Sequence, residues 1–267
     1  MQPFYLPGSR GKCFCLYHPA CGRERGAVIY LHPFAEEMNK TRRMAALQSR
    51  HMTEAGFAVL QIDLFGCGDS AGDFSDATWS IWQADVLLAY RWLRSETQSP
   101  LTLWGLRAGC LVAASAATNI PEEINLILWQ PVVSGKQHWQ QFMRLKIAGD
   151  IASGQPKADT EQLRHRLADG QTVEIAGYTV SSGLADGLET AELLNPPVNI
   201  GKVRWFELSM RDVATIAPSS QKCINQWLSS GVKIDSSIVR GPSFWQTTEI
   251  EDAPELISAT MEALNTW

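Results

Sequence analysis

The chain has 267 residues, 45% hydrophobic and 19% charged, which suits one large α/β domain with one substantial core. Its 23 Lys and Arg against 28 Asp and Glu give a net charge of -5, and the basic residues are scattered rather than run together, so nucleic acid is not an expected partner. The start, Met1 to Pro7, has no basic segment followed by an apolar one, no stretch approaches the roughly 18 apolar residues of a membrane span, and six dispersed cysteines form no disulfide framework; a soluble cytoplasmic protein with reduced thiols is expected.

In chain order, Lys12 to Tyr17 alternates as a strand does, which puts Cys13 and Cys15 on one face. With His18 and Cys21 they lack the spacing and the second pair of a zinc site, so burial in a sheet is the expectation, and no metal or cofactor is expected anywhere. Ala27 to Leu31, Ala58 to Asp63, Leu101 to Trp104 and Asn125 to Gln130 are compact apolar runs suited to buried strands. Helical patterns lie between them at about 40 to 55, 77 to 95 and 107 to 119.

The beat breaks between about 135 and 195, where helical segments at 136 to 149 and 158 to 168 and a polar hairpin-like piece from Gln171 to Val180 end at Asn195-Pro196-Pro197. Strands at Val203 to Leu208 and Lys233 to Val239 then resume, with helices at 217 to 230 and from about 253 onward. This alternation describes a mostly parallel sheet with helices on both faces. The core is assigned to 1–134 and 196–267, and 135–195 to a helical cap over the carboxyl ends of the strands, the edge where open α/β sheets bind ligands.

Leu101-Thr102-Leu103-Trp104-Gly105-Leu106-Arg107-Ala108-Gly109-Cys110 is a strand that ends in Gly-x-x-x-Gly and runs into an Ala-rich helix. That is the setting of the nucleophile elbow of the α/β-hydrolase fold, with Arg107 where the serine normally stands. Arginine has no lone pair to attack with and stays protonated at neutral pH, so it is not a substitute nucleophile. All five histidines precede position 166, and Gly241-Pro242-Ser243-Phe244-Trp245 occupies the place of the catalytic histidine after the last strand. Asp212, after the strand Val203 to Leu208, stands where the triad acid would be.

Several longer segments resemble one family. They are Leu6-Pro7-Gly8 with Leu16-Tyr17-His18-Pro19, the run Tyr30 to Lys40 (YLHPFAEEMNK), the run Asp63 to Phe74 (DLFGCGDSAGDF) with Trp79 and Trp82, and the run Gly241 to Glu249 (GPSFWQTTE). On these the chain is similar, over essentially its whole length, to the α/β-hydrolase-fold proteins of the second type associated with exosortase A systems. The resemblance implies a setting of exopolysaccharide export and protein sorting in Gram-negative bacteria. It implies little about chemistry, since "hydrolase" there follows the fold.

A cation at a helix N-terminus is unfavourable by roughly 0.3 to 1 kcal/mol unless an anion answers it. The candidates for that anion are Asp212, Glu36 or its neighbour Glu37, or a ligand carboxylate or phosphate held by Arg107. His32 either faces the ligand or holds its loop by hydrogen bonds to backbone. Trp129 and Trp245 are expected to face the pocket, and Asp69 either lines it or caps its own turn. Three functions stay open. One is a non-catalytic binder of an anionic small molecule or peptide terminus, anchored by Arg107. Another is a hydrolase using Asp69, Glu249 or Glu36. The last is an interaction protein with a filled pocket, partnered by an exosortase-system protein.

Overall fold

The computed structural model describes residues 1–152 and 160–267. Numbered in chain order, β1 (Gln2–Pro7) pairs antiparallel with β2 (Lys12–His18), and β2 antiparallel with β4 (Phe57–Ile62). From β4 the sheet runs in parallel through β3 (Gly26–Leu31), β5 (Leu101–Leu106), β6 (Ile124–Trp129), β9 (Ile200–Ser209) and β10 (Lys233–Arg240). Strand β1 is absent from the sequence expectation because Pro3 and Pro7 weaken its strand pattern. At the sheet edge a missing N–H is tolerated.

The helices α1 (Glu36–Glu54), α2 (Trp79–Glu96), α3 (Gly109–Ala117), α7 (Pro218–Ser229) and α8 (Pro254–Asn265) cover the sheet. The period-two alternation of the strands divides the core. Ile29, Leu31, Leu103 and Leu128 pack on the side of α2, α3 and α7, whereas Val28, Tyr30, Trp104 and Trp129 pack on the side of α1 and α8. Local signals start several helices: Thr78 accepts a bond from the Ile81 N–H at the head of α2, and prolines open α7 and α8.

Between β6 and β9 lie α4 (Gly135–Ala152), α5 (Thr160–Ala168), the hairpin β7 (Val173–Ile175) and β8 (Tyr178–Val180), and α6 (Ser182–Thr190). Of the helix expected at 158 to 168, positions 158 and 159 lie outside the described residues. Helix α6 was not expected, because Gly183 and Gly187 lower its propensity; its start is fixed by Ser181, whose hydroxyl accepts from the Leu184 N–H. Among the described residues no helix is long and apolar enough to cross a membrane.

The chain passes from β3 to β4 on one side, then returns to β5 on the other. That reversal makes a switch point at the carboxyl ends of β3 and β5, and the elbow opens there.

Candidate functional site

Arg107 follows β5 with φ of 56°, the left-handed conformation that lifts one side chain out of a sharp strand-to-helix turn. Its N–H donates to Trp129 O at 3.0 Å, and its carbonyl accepts from the Cys110 N–H at 3.1 Å. Both glycines of the turn are required by space. A Cβ on Gly105 would lie 2.6 Å from the Cys110 Cα, and one on Gly109 would lie 2.2 Å from Leu31 O.

The anion that answers Arg107 is Glu37. Arg107 Nε donates to Glu37 Oε1 at 3.2 Å and to Oε2 at 3.3 Å, and Nη2 donates to Oε1 at 3.1 Å. The two side chains are 12% and 7% exposed, so the pair is nearly withdrawn from water. Burial raises the Glu37 carboxyl above the usual carboxylate range while Arg107 pulls it down. Because the guanidinium keeps its charge, a neutral Glu37 would strand a buried cation, and the pair is ionised at neutral pH. Buried Trp245 closes the other side, with the Arg107 Cζ 5.1 Å from its ring centroid.

Several expectations are corrected. Asp212 does not reach Arg107; it is 91% exposed on the turn after β9, where it accepts from Arg240 at 3.3 Å. Glu36 makes no bond to Arg107, and its Oε2 is buried without a partner. Trp129 does not face the site: strand alternation turns it to the opposite layer, where its Nε1 donates to Thr260 of α8 at 3.0 Å. His32 holds its loop, since Nδ1 donates to Pro33 O at 2.8 Å and Nε2 accepts from the Leu64 N–H at 3.3 Å. Asp69 and Glu249 are exposed rather than buried as a catalytic carboxylate pair. Nor is Asp69 the cap of its turn; Asp63 accepts its N–H and pairs with Arg42.

Two features escaped the sequence. His138 of α4 is buried near the elbow, its ring 6.0 Å from that of Phe34; burial, reinforced by the Arg107 charge, lowers it to about 3. Its position on a separate, later helix hides this proximity. A cleft of about 550 Å³ opens between the start of α1 and the loop after β4, with Tyr178 of the inserted segment in its wall. Asn39, Arg42, Asp69, Phe74 and Tyr178 are among its walls, and Phe74 meets Tyr178 edge-on at 5.2 Å.

The eight-stranded sheet, its switch point and the strained turn after β5 define an α/β hydrolase by fold. A family model described as serine aminopeptidase, S33 matches residues 22–168, more than half of the chain, and the chain belongs to that family. Human protein ABHD12B is 29% identical over 116 residues, which are 43% of this chain and 31% of that protein, so the chain matches under a third of its curated relative. Est1E from Butyrivibrio proteoclasticus, solved with ferulic acid, superposes with a TM-score of 0.73 at 16% identity, covering 99% of this chain and all of its own. Mouse alpha/beta hydrolase domain-containing protein 10 gives 0.64 at 14% identity, covering 100% and 99%. At such identities the likeness is one of fold.

Proposed function

We propose that this protein is a non-hydrolytic member of its family, an interaction protein whose nucleophile position is closed by an internal ion pair. The observation that carries this is the Glu37 carboxylate on the Arg107 fork under the Trp245 ring. The same pairing argues against Arg107 as anchor for an anionic ligand or peptide terminus, because a second carboxylate would meet a charge already answered. Recognition then falls to the cleft between the start of α1 and the loop after β4. There Asn39, Arg42 and Asp69 offer polar and charged groups and Phe74 and Tyr178 two aromatic rings set edge to face, suited to a polar ligand or to a partner's loop. The resemblance to exosortase-associated proteins supports an export-system partner in the cytoplasm.

A fluorophosphonate probe and a panel of acyl esters, thioesters and acetylated sugars test this. The wild-type protein is expected to give neither labelling nor turnover. Arg107→Ser is expected to stay inert, because the loop after β10 holds Phe244 and Trp245 in place of a histidine and the Asp212 carboxylate is exposed and does not reach the elbow. Turnover by purified wild-type protein would overturn the reading. A second reading rests on Glu36, whose buried oxygen lacks a partner and whose carboxyl burial raises. Ester hydrolysis that vanishes in Glu36→Gln would select it.

A further inference from the structure

At the end of the sheet away from the elbow, a recess of about 450 Å³ opens at the amino ends of β3, β5, β6, β9 and β10. Three cations line it, Arg25, Lys202 and Lys233, against the Glu123 carboxylate, although the chain as a whole carries -5. Lys202 and Lys233 are register partners on the parallel strands β9 and β10. Their side chains therefore leave the same face from strands about 4.8 Å apart. Like charges set side by side on a sheet disfavour the fold unless an anion lies between them.

Among the described residues none of the three cations belongs to an ion pair. Two are nonetheless held in place. Arg25 Nη1 donates to Asn265 Oδ1 at 3.0 Å and to Ala55 O at 3.4 Å, and Lys202 Nζ donates to Thr266 O at 3.4 Å. Each bond leaves further N–H groups of that side chain free, so positive groups stand ordered before any ligand arrives. The wall also includes Trp267, whose indole N–H is buried and lacks an acceptor. The lysine pair and the remaining N–H groups of Arg25, gathered at one recess with only the Glu123 carboxylate among them, favour a ligand rich in anionic acceptors.

We propose that this recess binds a small molecule carrying a diphosphate. Two linked phosphates match three cations gathered around one opening, and the volume of about 450 Å³ exceeds what one phosphate fills. The site is independent of the elbow, and its existence does not rest on the proposed loss of hydrolysis.

Calorimetric titration of the full chain with inorganic pyrophosphate tests the proposal at low and high salt. Saturable binding that weakens as salt rises is expected. Lys202→Gln with Lys233→Gln should weaken it at least about tenfold, and Lys202→Arg with Lys233→Arg should retain it. Lys233 is exposed at the start of its strand, so Lys233→Glu alone serves if the double variant folds poorly, and should weaken binding by a similar factor. No binding of pyrophosphate to the wild-type chain, or wild-type affinity in the glutamine and glutamate variants, would overturn the proposal.

Discussion

Replacing Glu37 by glutamine keeps the shape of the side chain and removes the counter-ion of Arg107. With the two side chains 7% and 12% exposed, the guanidinium is left as a nearly buried, unanswered charge. Breaking such a pair from one side costs about 3–5 kcal/mol. The lower end applies here, because Arg107 keeps its stacking on Trp245 and some contact with water. For a chain of this size about 3 kcal/mol lowers Tm by roughly 6–12 °C.

The opposite substitution, Arg107→Met, is expected to cost less. Burial already favours the protonated form of Glu37, which can take up a proton, whereas arginine cannot lose one. Replacing both, as Glu37→Leu with Arg107→Met, should return to within about 1 kcal/mol of the wild type. Urea unfolding of these proteins at neutral pH measures the three costs, and Glu37→Gln with Arg107→Met closes the cycle and gives the coupling. A Glu37→Gln variant within about 0.5 kcal/mol of the wild type would refute the buried ion pair.

Two further outcomes follow from the same surroundings. His138, lowered to about 3 in the fold, favours its neutral form, so its contribution is complete above the unfolded value of about 6.5 and is lost as pH falls toward 3, at up to about 1.4 kcal/mol per pH unit. Glu36, Glu37 and Asp85, raised by burial, act with the opposite sign. Urea midpoints should therefore fall less between pH 7 and 5 in His138→Gln than in the wild type, and parallel profiles would contradict this. Trp245→Ala should cost about 3 kcal/mol and uncover Arg107. Phenylglyoxal followed by peptide mass spectrometry should modify Arg107 in that variant alone, and modification of wild-type Arg107 as fast as exposed Arg240 would count against a closed elbow.

The fold was largely legible because buried parallel strands are compact apolar runs, and the glycines at 105 and 109 mark a turn with no room for a side chain. The site was legible only in part. Arg107 at the elbow could be read from its neighbours in sequence, and the need for an anion from helix electrostatics. Which carboxylate supplies it depends on the angle at which α1 leaves the β3 loop, and adjacent residues such as Glu36 and Glu37 differ by about 100° around a helix. Trp129 could have been placed correctly. The alternation that puts Leu126 and Leu128 on one face puts Ile127 and Trp129 on the other, but a position at the end of its strand suggested the pocket instead. His138 could not, since the packing of α4 on Phe34 has no local signature.

The left-handed backbone at 107 persists although the side chain there is a guanidinium, which has no lone pair to attack with. A relaxed backbone would point the residue elsewhere; the contorted one aims a long side chain across the gap to the first turn of α1, and there it acts as a tether. The turn after β5 and the loop before α1 are thereby fastened to each other by a salt bridge, so displacing one drags the other.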